Sequence, residues 1–168
     1  MITLQFSTER DAVSGFIRWA TRAPFSHCDC VLPNGCLLGA RFSGGVRVRK
    51  PFYAKFSRIA RYTCNSMIPK QEEVFYDFLY AQVWKPYDTA GIFNFLLHRK
   101  HDWKAGKAWF CDALLDAASI EAQDAFLMGD PCDFTPATLT YSPKLEMQFD
   151  ETPPYTFTAI RAMETFQK

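Results

Sequence analysis

The sequence predicts an α+β domain built on an antiparallel sheet. Three observations predict it. The elements run strand, helix, strands, helices, strand; Asn34-Gly35 and Gly44-Gly45 are turn signals short enough for hairpins; and the apolar period switches from two to helical at Gln71. At 168 residues, with 48% hydrophobic and 22% charged residues, one globular domain over 1–168 is expected, long enough to bury a full core.

Ile2, Leu4 and Phe6 alternate with polar residues and predict the first strand. Ser7 to Asp11 then supply N-cap oxygens and early acids, and Val13, Phe16, Ile17 and Ala20 share one helical face that Pro24 ends. Residues 26–32 and 36–42 predict a hairpin about Pro33-Asn34-Gly35, because Asn-Gly supplies the positive φ of a tight turn. With a two-residue turn at Asn34-Gly35, His27 would face Phe42 and Asp29 would face Ala40. Residues 46–49 alternate as a strand, 50–57 form a loop or irregular edge, and 58–64 form a further strand. From Gln71, Val74, Phe75, Phe78, Leu79 and Gln82 fit one helix, with Glu72-Glu73 suited to its first turn and Pro86 to its stop. Asp88 can cap a second helix to Leu97, followed by a polar, basic stretch over 98–106. A third helix begins near Cys111 and reaches about Ser119. Pro131, Pro136 and Pro143 predict a loop over 129–145, and residues 155–160 predict a last strand.

Lys+Arg 19 against Asp+Glu 18 gives a net charge of +1 and no basic footprint, so no nucleic-acid partner is expected. No run of about 18 apolar residues occurs, so no membrane span is expected. Residues 1–7 carry neither a basic n-region nor a long apolar h-region, so a cytoplasmic chain is expected as synthesised, with export by a route without a signal left open. In that compartment the six cysteines read as thiols. No Gly-rich phosphate loop, G-x-S-x-G, H-E-x-x-H or C-x-x-C is present, which removes support for NTPase, serine esterase, zincin and dithiol redox chemistry.

Cys111 stands at an expected helix start behind Trp109-Phe110, where backbone N–H groups favour the thiolate. Asp112 beside it would raise the thiol pKa unless it points away. Strand alternation puts His27, Asp29 and Val31 on one face and Cys28, Cys30 and Leu32 on the other, apolar one. Cys28 and Cys30 therefore read as small core residues, Cys36 and Cys64 as strand residues and Cys132 as a loop residue. A helix-start cysteine facing a strand histidine is the arrangement of papain-like cysteine hydrolases, with two unrelated structural residues as the bland alternative. The rival constellation is structural zinc at His27, Cys28, Cys30 and Cys36, against which the opposed directions of His27 and the C-x-C thiols count. No metal or other cofactor is expected. His98 and His101 read as solvated loop residues.

Five short motifs in order extend this reading: Ser26-His27-Cys28-Asp29-Cys30-Val31-Leu32; Asn34 to Ala40 with Gly44-Gly45-Val46; Lys85-Pro86-Tyr87-Asp88; Trp109-Phe110-Cys111; and Phe134 to Leu139. Together, over roughly residues 1–145, they resemble the circularly permuted NlpC-type papain-like hydrolases, the group of the bacterial YiiX/YaeF-like proteins and, more distantly, the lecithin retinol acyltransferase-like enzymes. The resemblance implies a permuted papain-like fold in which an antiparallel sheet packs against helices and the histidine strand precedes the cysteine helix. It implies Cys111 as nucleophile, His27 as base and then acid, an oxyanion site at the N–H groups opening the Cys111 helix, and Tyr87 and Asp88 shaping the site or bracing that helix. The chain departs from the family where Asp112-Ala113 replaces Ser-Glu and where Leu37 to Ala40 offers no polar partner for the histidine. Asp29, Arg41 or a backbone carbonyl are the candidate substitutes. The expected function is hydrolysis of an amide, with peptide or acyl-amide as substrate and cell-wall peptide favoured by the resemblance. Acyl transfer or thioester hydrolysis on lipid-like acyl groups is the alternative, and a non-catalytic binding or assembly module on the same fold is another.

Overall fold

The computed structural model describes residues 1–89 and 107–152. Its centre is a six-stranded antiparallel sheet in the order β4-β3-β2-β1-β5-β6, formed by β1 (Ile2–Glu9), β2 (His27–Val31), β3 (Leu37–Arg41), β4 (Gly45–Arg49), β5 (Phe56–Cys64) and β6 (Leu145–Glu151). The helices are α1 (Ala12–Thr21), α2 (Pro69–Ala81), α3 (Cys111–Glu121) and the single turn α4 (Pro136–Leu139). The expected α+β class with an antiparallel sheet is what forms. Among the described residues no helix is long and apolar enough to cross a membrane.

Alternation sorts the central strands. Leu4, Phe6, Cys28, Cys30, Leu38, Ala40 and Ala60 are fully buried in one cluster with Phe75 and Leu79 of α2 and Leu114, Leu115, Ala117 and Ala118 of α3. The opposite face carries Gln5, Asp29 and Arg61, also buried, with the Arg61 guanidinium donating to Gln5 Oε1 at 3.0 and 3.2 Å. Arg61 and Gln5 are tolerated there because they partner one another. α3 is buried from Cys111 to Ser119, and its alanines let it lie close to the sheet.

Two expectations need correction. The β2–β3 register pairs Cys30 with Leu38 and Val31 with Leu37, one residue away from that of a two-residue turn. The hairpin closes instead through Leu32 and Cys36, with Leu32 N–H donating to Cys36 O at 2.8 Å and Gly35 at φ 79°. A three-residue turn with its last residue in the left-handed region does this, and the slip brings Gly39 rather than Ala40 opposite Asp29. Residues 129–145, expected as a loop, contain a 3-10 turn (Pro131–Asp133) and α4, and β6 begins at Leu145. Pro131 and Pro136 start these turns, as proline does when its missing N–H costs nothing. β6 pairs with β5 along 59–64 across a register shift at Arg61/Tyr62, with Leu145 in the main core and Phe149 against the small cluster of Phe56 and Ile59. The helix expected from Asp88 to Leu97 beyond its first two residues, the polar stretch 98–106 and the strand expected at 155–160 lie outside the described residues.

Candidate active site

Two segments bring the site together. β2 opens at His27, next to β1, where Ser7 is its cross-strand partner. α3 opens at Cys111 after the extended N-cap residue Phe110, and Trp109 fixes that approach: its N–H donates to Pro86 O at 3.2 Å, its carbonyl accepts from Asp88 N–H at 3.1 Å, and its indole donates to Gln82 Oε1 at 3.1 Å. The first intrahelical bond of α3 runs from Leu114 N–H to Phe110 O, so the N–H groups of Cys111, Asp112 and Ala113 precede it, at the end where an anion is favoured.

Cys111 is 3% exposed, and His27 and Cys28 are the neighbours that act on its sulfur. Its pKa is held well below the usual thiol range: the Cys28 hydrogen bond is the largest cause, burial opposes it, and His27 adds to it. A helix N-terminus by itself supplies about 1 kcal/mol or less, so these two partners decide the ionisation. Burial would lower the His27 pKa, but Asp29 and Cys111 outweigh it and raise it to about 9. Both shifts favour the thiolate–imidazolium form over the neutral pair. Asp112 points toward the sulfur, not away, with Oδ1 at 3.5 Å. Burial, then the Cys111 charge, push its carboxyl well above the usual carboxylate range, which favours its neutral form.

Behind the imidazole, Asp29 Oδ1 lies 2.9 Å from His27 Nε2. Burial opposes its ionisation, but His27, Tyr53 and Arg41 hold the Asp29 pKa below its ordinary value. The polar partner missing from β3 thus comes from two residues along β2 itself. Gly39 makes that arrangement fit, since a Cβ there would stand 2.0 Å from Asp29 Oδ1. Tyr53 donates to Asp29 Oδ2 at 2.8 Å and accepts from Arg41 Nη1 at 2.8 Å, and Arg41 Nη2 pairs with Glu9 Oε1 at 2.5 Å. Arg41 and Asp29 are thus joined through the Tyr53 hydroxyl.

Tyr87 sits at the mouth, with its ring edge-on to Phe110 at 6.0 Å and to Phe42 at 6.3 Å. Asp88 is buried and tied by its backbone to Trp109. Two hollows meet at Tyr87, Ile17 and Ser26. One, a narrow hollow of about 50 Å³, is apolar around Cys111, with walls from Phe16, Phe110, Phe134 and Pro136. The other, of about 150 Å³, has the polar lining of Glu9, Asp11, Arg41 and Ser43 around His27.

No family model matches the sequence. No curated protein matches it either. Among solved structures, the chain is similar to the crystal structure of the metalloprotein YiiX from Escherichia coli O157:H7, a DUF1105 protein, with a TM-score of 0.65 and 15% identity over 90% of this chain and 97% of that one. The likeness is one of fold.

Of the residues expected from the sequence, Cys111, His27, Arg41 and Tyr87 line the two hollows, Asp29 stands behind His27, and Asp88 is tied to Trp109 before the Cys111 helix. Cys28 was expected as core alone; it is core and also a neighbour of the Cys111 sulfur. Tyr53 and Glu9 carried no signal of this role, Tyr53 because an irregular loop has no periodicity from which to read a direction. All six cysteines are free, and among the described residues no group of three or more His, Cys, Asp or Glu side chains is placed to hold a metal ion.

Proposed function

We propose that this protein is a cysteine hydrolase of the circularly permuted papain-like, NlpC-type fold, cleaving an amide or ester through Cys111 and His27. The observation that carries the reading is the placement of Cys111 at the first turn of α3 beside His27, whose Nε2 lies 2.9 Å from Asp29 Oδ1. The Cys111 thiolate adds to the carbonyl carbon, and the oxyanion takes up the N–H groups that open α3. The His27 imidazolium gives its proton to the leaving amine or alcohol as that bond breaks, leaving a thioester on Cys111 and a neutral imidazole. His27 then takes a proton from water as the water attacks the thioester, which frees the acid and restores the starting pair.

The two hollows support a direction for the substrate: acyl group among Phe16, Phe110, Phe134 and Pro136, polar leaving group beside His27 and Arg41. The apolar hollow favours the second reading, acyl transfer or thioester hydrolysis on a lipid-like acyl group, over a cell-wall peptide. YiiX is described as a metalloprotein; the described residues here offer no donor cluster for a metal ion, and each step uses protein groups alone.

Iodoacetamide at pH 6 tests the thiolate. Cys111 is expected to label about 10²-fold faster than an ordinary thiol, and equal or slower labelling than the other five overturns the reading. A peptide p-nitroanilide compared with acetyl and octanoyl p-nitrophenyl esters then separates the substrate readings, with His27→Ala expected to lose about 10²–10⁴-fold in rate on whichever is turned over.

A further inference from the structure

We propose that Tyr53 is a positioning residue for His27, its hydroxyl standing between the Arg41 guanidinium and the Asp29 carboxylate and so keeping that carboxylate on the imidazole. This rests on the ion-pair reading of the site and adds to it the residue that directs the histidine's partner.

The hydroxyl is engaged on both sides, accepting from Arg41 Nη1 and donating to Asp29 Oδ2, each at 2.8 Å. The Tyr53 ring is held independently of the hydroxyl: Arg41 lies 4.9 Å and Arg49 5.5 Å from its centroid, and Phe56 meets it edge-on at 5.4 Å. Phenylalanine would therefore keep the packing and remove only the bridge. Asp29 would then face a guanidinium with no group between them. A buried carboxylate and a half-buried guanidinium attract more strongly than in water, and closure of that pair draws Oδ1 off His27. Tyr53 prevents the competition by satisfying both charges at once.

The groups that face His27 and its partner are few. Cys111 and Cys28 approach from the helix side, with Asp112 beside Cys111; Asp29 approaches from its own strand; and Glu9, Arg41, Arg49 and Tyr53 approach Asp29 from β1, β3, β4 and the loop before β5.

The test is an NMR titration of the His27 imidazole in the full chain, assigned by its loss in His27→Gln among three histidines. In Tyr53→Phe the midpoint is expected to fall by about one pH unit or more, with a roughly tenfold loss of Cys111 alkylation rate at pH 6. In Tyr53→Phe/Arg41→Gln, with the competing guanidinium gone, the midpoint returns toward the native value. A raised native midpoint that Tyr53→Phe leaves unmoved overturns the role of Tyr53 alone, and a fall that the double variant does not reverse overturns the competition with Arg41. A native midpoint near 6.5 overturns the ion pair and this role with it. Should Tyr53→Phe fail to fold, Arg41→Gln alone decides: an unchanged or higher midpoint supports the proposal, and a lower one overturns it.

Discussion

Asp29 has no hydrogen bond to spare. One oxygen faces His27, the other takes the Tyr53 hydroxyl, and the carboxylate lies over Gly39 where any side chain would collide with it. Gly39→Ala is therefore expected to displace Asp29, to cost about 1–3 kcal/mol of stability by overpacking, and to lower Cys111 alkylation at pH 6 about tenfold. Denaturant melts and alkylation rates check both parts, and a native alkylation rate in this variant would sink the claim. The pH dependence follows from the same contacts. His27 has its folded pKa raised to about 9, above the unfolded value near 6.5. Its stabilising effect is complete below about 6.5 and is lost as pH rises through about 9. Cys111, lowered by Cys28 and His27, keeps its thiolate on the acid side of an ordinary thiol. His27→Ala is expected to move the alkylation midpoint of Cys111 upward. Position was readable at this scale, since helix start and strand alternation located Cys111 and His27. The identity of the histidine's partner was not, because it depended on a one-residue register and on a loop tyrosine.

α3 places two acids, Asp112 and Asp116, four residues apart on a buried helix. Asp116 Oδ1 accepts from Leu127 N–H at 3.2 Å, while Ser119 Oγ accepts from Phe126 N–H at 2.9 Å, so this end of the helix ties down the following loop. Burial still dominates and raises the Asp116 carboxyl to about 6. The folded state then binds more protons than the unfolded state between about 3.8 and 6, so stability falls as pH rises through that window. Asp116→Asn is expected to flatten this slope by on the order of 2 kcal/mol, read from urea midpoints at pH 4 and 7. An unchanged slope would show that the carboxyl ionises freely. Elements differed in legibility for a physical reason. α1 has an Asp11 side chain that accepts from Ser14 N–H at 2.6 Å and one apolar stripe, so it was plain. β6 carried its alternation at Leu145, Met147 and Phe149 but was hidden behind three prolines read as one loop.

Across the whole molecule the shifted groups combine. Asp29, lowered by His27 against burial, contributes stability that is present above the unfolded carboxylate range and lost as pH falls through its folded pKa. Asp112 and Asp116, both raised by burial, make stability decline as pH rises above about 4. His27 adds a further loss through about 9. Cys111, lowered by Cys28 and His27, acts in the opposite sense, its contribution growing as pH rises toward the ordinary thiol range. The sequence by itself determined the class, the strand and helix periods, and the placing of Cys111 at a helix start and His27 on a strand, because periodicity and helix-start chemistry are local properties of the chain. Only the tertiary structure decided that β2 meets the N-terminus of α3, that Cys28 acts on Cys111, and that Asp29, Tyr53 and Arg41 line up behind His27. Those contacts depend on sheet order, hairpin register and loop path, and each joins residues whose local sequence carries no record of the other.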